Sequence, residues 1–243
     1  KAIKINPKYS GAYPAMGWME SWIKNRHDKA LEHFDEALKY NPDNVTAMIW
    51  KSITCRAIKR QEEAIDLSLK SVELDPNNHV AHMVLSAAYS SNFQYDKAEQ
   101  AARKSVGLKP DYGMGHRNLF GTLAMQENKR DEMIKHIQSL EALSTRDWNI
   151  ESSIFLYYYY FGTEESFQKA ADYIKNKANL TNYDLKGFPL YYFCIGEKEL
   201  GYKILEEGVK NGLVYLTGEH RHLMNWDVIK NEERYKALYG DAY

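Results

Sequence analysis

Two shortages in this sequence narrow its possible functions: it has few cysteines and no long apolar run. Its 243 residues include only Cys55 and Cys194, which are far apart, so neither a disulfide framework nor a Cys-x-x-Cys metal site is predicted. The longest uninterrupted apolar or aromatic stretch, residues 154–161, is far shorter than the roughly 20 residues of a membrane helix. The cysteine usage favours a reducing cytoplasm as the location, with the periplasm left open.

The sequence also lacks a charge excess and a catalytic motif. Its net charge is −1, with acidic and basic residues interspersed, which argues against a nucleic-acid or anionic-membrane partner. There is no phosphate-binding Gly-x-x-x-x-Gly-Lys loop and no His-Glu-x-x-His pattern, and Gly113-Met-Gly115 is too short for a dinucleotide fingerprint. We therefore expect no enzyme activity, no catalytic residue and no cofactor.

Two of the eight histidines occupy equivalent positions 34 residues apart, His82 and His116. If their helices stack at roughly 8–10 Å, the two rings are too far apart to share one metal, since Zn–N bonds are about 2.0–2.1 Å long. We expect each histidine to fill a packed position that another repeat gives to an aromatic residue. No metal site is predicted.

The prolines, although few, are regularly spaced. Four of the six are separated by 35, 34 and 34 residues: Pro7, Pro42, Pro76 and Pro110. Residues 37–42, 71–76 and 105–110 are variants of one six-residue segment that ends in proline. A period near 34 residues indicates a repeat protein.

Each period is predicted to contain two amphipathic helices and a turn. In the third unit, His82, Leu85 and Tyr89 mark one face of a first helix, and Ala98 and Ala102 mark a second helix with small residues on its inner face. Acidic residues at the start of each second helix complement the helix dipole. The proline that follows cannot continue a helix, so it separates one pair from the next.

This pattern resembles the tetratricopeptide repeat, whose signature is an aromatic residue, a Leu-Gly pair, a Tyr, an Ala, a Phe and a Pro. Three units match in phase, and a fourth lacks the closing proline. Unit by unit, the matching residues are Tyr13, Met16, Gly17, Glu20, Ala30, Phe34 and Pro42; Met48, Lys51, Ser52, Cys55, Ala64, Ser68 and Pro76; His82, Leu85, Ser86, Tyr89, Ala98, Ala102 and Pro110; and His116, Leu119, Phe120, Leu123, Met133 and Ile137. Units one and four carry one extra residue, which we expect in the turn between the two helices.

The resemblance implies an all-α fold: a right-handed superhelical solenoid of about six stacked antiparallel helix pairs with a C-terminal capping segment. Residues 1–143 are predicted to form the clear repeat array, in which residues 1–9 are the end of a truncated repeat. Residues 144–212 are predicted to form two degenerate helix pairs, and residues 213–243 the cap. Because Lys1 is not an initiator Met and the first residues fit the end of a helix, we expect a fragment of a longer protein.

The end of the chain has a second resemblance, to the C-terminal repeat regions of bacterial multidomain signalling and regulatory proteins. In those proteins a short Trp-Asp loop leads into an Arg-aromatic helix, matched here by Trp226, Asp227, Arg234 and Tyr235. Such regions follow nucleotide cyclase domains or winged-helix DNA-binding domains. The resemblance implies a regulatory module within a larger protein.

In such a solenoid the first helices line a concave face, and their outward slots are the candidate partner-binding positions. The candidates are Trp18, Trp22, Ile49, Ile53, Arg56, Met83, Arg117, Met125, Phe155 and Tyr159. Most are apolar or aromatic, although the family often places polar residues there. Some family members clamp the C-terminal carboxylate of a chaperone with Lys and Asn, but Pro14 and Trp18 stand where that clamp would begin, so we reject chaperone binding.

We therefore predict a non-enzymatic scaffold that binds a partner helix or extended peptide in an apolar groove, with Arg56 and Arg117 orienting it. A different interpretation of the same column stays open, in which the apolar residues pack the first helices against one another or against missing repeats. Self-association into a homodimer is a rival function. A small-ligand sensor is a further alternative, although it needs a closed pocket with convergent polar groups.

Overall fold

The computed structural model describes residues 10–144, 147–165, 168, 192–193, 196–210 and 232–239. Throughout these ranges, the regular secondary structure is helical, which confirms the predicted all-α class. The chain divides into two compact units, Lys1–Ser153 and Ile154–Tyr243. The proposed truncated repeat at residues 1–9, the Trp226-Asp227 loop and the side chain of Tyr159 lie outside the described residues.

Helices alternate with short turns along the chain. They are α1 (Tyr13–Trp18), α2 (His27–Tyr40), α3 (Val45–Ala57), α4 (Gln61–Leu74), α5 (His79–Ser91), α6 (Tyr95–Leu108), α7 (Gly113–Ala124), α8 (Arg130–Glu141), α9 (Trp148–Phe161), α10 (Lys198–Lys210) and α11 (Glu233–Tyr239). A 3-10 turn at Ser10–Ala12 precedes α1, and a π-helical turn at Met19–Ile23 extends it. Within the described ranges, no helix combines the length and the apolar character that crossing a bilayer requires.

Consecutive helices of the first unit pack as hairpins: α1 with α2, α3 with α4, α5 with α6 and α7 with α8. Small residues on the second helices allow this approach, since Ala30, Ala64 and Ala98 are each 0% exposed. The larger Phe34 is also fully buried, because Gly17 faces its ring. The second helices α2, α4 and α6 also contact the first helix of the next pair, so the pairs stack into the predicted solenoid.

A proline and a histidine build the turn that joins one pair to the next. The Nε2 atom of His82 donates to the carbonyl oxygen of Pro76 at 2.9 Å, and His116 makes the same contact with Pro110 at 2.8 Å. Because a carbonyl oxygen only accepts, each ring carries its proton on Nε2. Both rings are buried, in agreement with a packing role for the two histidines.

The extra residue of the first pair is taken up inside a helix. In the π-helical turn Met19–Ile23, the backbone N–H of Lys24 donates to the carbonyl oxygen of Met19 at 3.2 Å. The expectation of a longer turn was wrong for this pair, because one turn of i→i+5 bonding absorbs a residue without ending the helix. In the fourth pair the extra residue does lie between the helices, in a 3-10 turn at Glu127–Lys129.

In the second unit, charged side chains hold α11 against α10. Glu232 accepts hydrogen bonds from Lys198 Nζ at 2.6 Å and from the Tyr202 hydroxyl at 2.7 Å. Arg234 Nε donates to Glu206 Oε1 at 2.7 Å, and its guanidinium lies 4.5 Å from the centre of the Tyr202 ring. These contacts suit a capping role for the end of the chain. The division of the chain into three segments stays a prediction.

Candidate binding surface

Three tryptophans lie at the centre of the first-helix face, which we define as the surface formed by α1 with its π-helical turn, α3, α5 and α7. The ring centroids of Trp18 and Trp50 are 6.3 Å apart with an interplanar angle of 64°, and those of Trp22 and Trp50 are 6.5 Å apart at 80°. Edge-to-face contacts of this kind are favourable. All three indoles are half-buried, so each is supported by neighbours and still accessible.

Two of the indoles, those of Trp22 and Trp50, rest on a buried apolar cluster. Its buried members are Ile49, Ile53, Ala81 and Val84, and its partly buried members include Trp22, Trp50 and Met83. These residues come from the π-helical turn, α3 and α5, so the cluster joins three consecutive first helices. Beneath the indoles, the first-helix face is therefore a packed layer.

The predicted partner-binding residues fall into three groups by exposure. Ile49, Ile53, Arg117 and Phe155 are buried; Trp18, Trp22, Arg56 and Met83 are half-buried; and Met125 is 43% exposed. Ile49, Ile53 and Phe155 have almost no surface to offer a partner, because neighbouring side chains cover them. The half-buried group, together with Met125, supplies the accessible part of the predicted column.

Trp50 is a central residue that the sequence pattern did not indicate. It lies one position after Ile49, which occupies the predicted partner-binding position of this repeat. In the stacked helices Trp50 meets Trp18 and Trp22 of the preceding repeat. Its residue type could have indicated its role, since tryptophan, tyrosine and arginine are the residues enriched among interface hot spots.

Hydroxyl groups tie neighbouring first helices together beside the indoles. Thr54 Oγ1 donates to Ser21 Oγ at 3.2 Å, which links α3 to the π-helical turn. Ser90 Oγ and Thr122 Oγ1 are 3.1 Å apart and link α5 to α7. Such links hold the face in one arrangement, and a preformed surface loses less entropy when a partner binds.

The charges on this face are all positive from α3 onwards. Helices α3, α5 and α7 contain Lys51, Arg56 and Arg117 but no aspartate or glutamate. Lys51 Nζ is ion-paired to Asp35 at 2.7 Å and to Glu63 at 3.1 Å, both on second helices. The other positive charges of these three helices are those of Arg56 and Arg117.

Arg117 combines burial with an absence of partners. The residue is 7% exposed. In the part of the chain that the structure describes, its guanidinium makes no hydrogen bond and no ion pair. By contrast, the neighbouring Asn118 donates from Nδ2 to the carbonyl oxygen of Met83 at 2.9 Å. Buried charges are normally paired, because removal from water is costly unless a partner compensates for it.

A pair of stacked histidines belongs to the contact between α7 and α8. The ring centroids of His116 and His136 are 5.3 Å apart, with an interplanar angle of 24°. Burial lowers the pKa of His136 to about 4, and the neighbouring His116 contributes in the same direction. Among the described residues, no group of three or more His, Cys, Asp or Glu is placed to hold a metal ion.

Comparison with known proteins agrees with the repeat signature. Residues 16–44 and 80–112 match the tetratricopeptide repeat. Anaphase-promoting complex subunit 3 of Schizosaccharomyces pombe is 24% identical over 152 residues, which are 62% of this chain and 21% of that protein. Hsp70-Hsp90 organizing protein 2 of Arabidopsis thaliana is 42% identical over 52 residues, which are 21% of this chain and 9% of that protein. The chain thus spans only a small part of the curated relatives that it matches.

A solved structure shows the same fold. A thermophilic TPR protein of Thermus thermophilus, TTC0263, is similar with a TM-score of 0.60 at 20% identity, over 70% of this chain and 91% of that one. The resemblance to the tetratricopeptide repeat is therefore confirmed by the sequence match and by the architecture.

Proposed function

We propose that the first-helix face binds one apolar helix or extended peptide. The premise is the match to the tetratricopeptide repeat and its fold, because proteins of this repeat family are interaction scaffolds and not enzymes. The observation that carries the proposal is the indole group, Trp18, Trp22 and Trp50. Its rings are half-buried and support one another, so they offer aromatic surface at little entropic cost. Tryptophan in a well-packed setting is the usual anchor of an interface.

The neighbouring residues favour an elongated partner. Met83 continues the apolar surface from α3 onto α5, and its flexible thioether adapts to different side chains. Because the anchors come from three consecutive first helices, one amphipathic helix or one strand can contact all of them. Arg56, half-buried on α3, supplies a positive charge beside this apolar path.

The scaffold is proposed to be a regulatory module of a larger bacterial protein, as the resemblance at the end of the chain suggests. We propose a reducing cytoplasm as its location. Cys55 is a free, buried cysteine whose pKa is raised to about 12 by burial. Such a thiol is inert packing, which suits a chain that has no need of disulfides.

Peptide selection tests the proposed function. A phage-displayed library of linear peptides is selected on the immobilised chain, and recovered peptides are measured by fluorescence anisotropy on purified variants. Trp18→Ala should weaken them about 30-fold, which corresponds to a hot spot of about 2 kcal/mol. A thermal melt of the same variant checks that the fold is retained.

Phe93→Ala is the matched control, because Phe93 is an aromatic residue that is 74% exposed in the turn between α5 and α6. Removing it should leave peptide affinity unchanged. If the recovered peptides bind the Trp18→Ala and Phe93→Ala variants equally well, the indole group is not the binding surface.

Self-association is the rival proposal, and a second apolar stripe favours it. Met16, Met19 and Ile23 follow helical spacing along α1 and its π-helical turn and are 39%, 44% and 50% exposed. A second copy covering this stripe would form a dimer that sedimentation velocity detects. Ile23→Glu should then dissociate the dimer, whereas a chain that is monomeric at all concentrations contradicts this rival.

A further inference from the structure

We propose that Arg117 is a receptor for a carboxylate side chain, an aspartate or glutamate, within the partner peptide. The proposal rests on the proposed function, since it specifies the chemistry of the segment that the first-helix face binds. It assigns the partner an acidic residue at the α7 end of the first-helix face, beyond its apolar anchors. The assignment follows from three properties of Arg117 and its surroundings.

The first property is that the Arg117 guanidinium has no partner among the described residues. Arg117 is 7% exposed, and within the described residues its guanidinium has neither a hydrogen bond nor an ion pair. Arg103, on α6, is by contrast fully paired. Its Nε donates to Glu99 Oε1 at 2.8 Å, and its Nη2 forms an ion pair with Glu132. An arginine guanidinium can donate two parallel N–H···O hydrogen bonds to one carboxylate, and such charge-assisted pairs are among the strongest hydrogen bonds in proteins.

The second property is that the residues next to Arg117 on the first-helix face are small. The slot one helical turn after Arg117 is occupied by Gly121, and the equivalent slot of the preceding repeat by Ala87. Both positions are half-buried and carry little or no side chain. Elsewhere on the face, larger residues fill this slot: Trp18 in the first repeat and Ile53 in the second. These two slots therefore carry less side-chain bulk beside Arg117 than the matching slots of the first two repeats.

The third property is the charge balance. Helices α3, α5 and α7 provide no carboxylate of their own. Asp147, whose carboxylate lies against Gly113 at the start of α7, and the buried Glu151 of α9 are acidic groups at this end of the face, but neither forms an ion pair with Arg117. A single guanidinium matches the single charge of a carboxylate, whereas a phosphate carries about −1.5 to −2 and calls for more donors.

Thermal melting with acetate as the probe tests the site without any knowledge of the partner. Melting temperatures of the full chain are compared in sodium acetate and in sodium chloride at equal ionic strength. The wild type should melt about 2–4 °C higher in acetate, because the anion binds the folded state. Arg117→Met should lose this response, since it removes the guanidinium that binds the anion.

Arg103→Met is the matched control. Arg103 already has carboxylate partners, so its removal should lower the melting temperature in chloride and leave the acetate response intact. An equal acetate response in the wild type and in Arg117→Met would overturn the proposal. A larger rise in phosphate than in acetate, dependent on Arg117, would overturn the carboxylate assignment in favour of a phosphate site.

The peptides recovered by selection separate this inference from the proposed function. Peptides with an amidated C-terminus are compared with versions in which Asp and Glu are replaced by Asn and Gln. Arg117→Met should weaken the acidic peptides about 10-fold and leave the neutral versions unchanged. Peptides that depend on Trp18 but ignore both Arg117 and their own acids would overturn the inference while the proposed function stands. An acetate response without any Trp18-dependent peptide would overturn the proposed function and the assignment of the carboxylate to a partner peptide, and would leave only an anion site at Arg117.

Discussion

At the scale of single residues, the packing of a helix pair can require a glycine as well as a large side chain. A Cβ atom at Gly17 would overlap the ring of Phe34, which is itself fully buried. Gly107, on α6, has nothing within 4 Å of the equivalent point. The same residue type is therefore required at one position and incidental at the other.

Gly17→Ala should destabilise the fold. The added methyl group has to displace the Phe34 ring, and overpacking of this kind costs about 1–3 kcal/mol. Gly107→Ala should instead raise the free energy of unfolding by about 0.5–1 kcal/mol, because alanine is the better helix former. Urea denaturation of the two variants compares them directly, and a loss of stability in both would show that the Gly17 contact is not the cause.

The stacked histidines make stability depend on pH. Because burial and His116 lower the pKa of His136 to about 4, the folded state binds a proton less readily than the unfolded state, in which the pKa is near 6.5. The stabilising difference is present above the unfolded pKa and is lost as the pH falls towards about 4. We expect a loss of about 2 kcal/mol from this group between about pH 7 and pH 5.

His136→Gln provides the test of this pH dependence. The amide does not titrate, so the fall in the urea midpoint between the two pH values should be clearly smaller in the variant than in the wild type. An identical fall in both proteins would assign the pH dependence to other groups.

At the scale of elements, the first helices of three consecutive pairs are followed by a residue in the left-handed region. Asn25, Lys59 and Phe93 have φ values of 50°, 65° and 59°. Asparagine tolerates this conformation, whereas lysine and phenylalanine are strained in it. The strain is accepted because the turn must reverse the chain within a few residues.

Lys59→Gly should stabilise the chain. Glycine adopts positive φ freely, so the substitution should raise the free energy of unfolding by about 0.5–1 kcal/mol. Lys70→Gly is the control, because the exposed Lys70 lies within α4, where glycine costs about 1 kcal/mol. Thermal melts that move in opposite directions support the assignment, and a loss of stability in Lys59→Gly contradicts it.

The spacing of the prolines and small residues predicted the helix pairs well, because each repeat obeys the same local rules. Ala30, Ala64 and Ala98 recur at one interval and are buried identically. The candidate site was only partly predictable. Slots on one helix identified Trp18 and Trp22, but the central position of Trp50 depends on how two helices stack, which a single helix does not encode.

The sequence also could not predict whether Arg117 has a hydrogen-bond or ion-pair partner. Its slot predicted a residue on the first-helix face, and burial was not expected for a charged side chain. Whether a buried arginine is paired depends on the surroundings supplied by several helices at once. Single-repeat patterns carry no information on such a contact.

At the scale of the whole molecule, the second unit ends in a helix that covers apolar surface of its own unit. Tyr192, Ile204 and Leu205 are 2%, 4% and 0% exposed, and Tyr235 of α11 is 4% exposed. The terminal face of a repeat array needs such a covering segment, because no further repeat packs on it.

Deleting residues 213–243 should expose this apolar surface. We expect aggregation or strong binding of a hydrophobic dye, measured by fluorescence at a fixed protein concentration. Tyr235→Ser should produce a milder form of the same effect, and Ala237→Ser, at an exposed position of α11, should produce none. A truncated chain as soluble and as stable as the full one would remove the capping role.

The π-helical turn at Met19–Ile23 has a consequence for how such a chain changes length over evolution. The first repeat has one residue more than the second and third, yet Ala30, Ala64 and Ala98 stay 34 residues apart, because the surplus is absorbed before Ala30. An insertion at this place leaves every later helix pair in its original phase. Duplicated repeats are therefore free to gain or lose a residue at the end of a first helix while their inner faces continue to interlock.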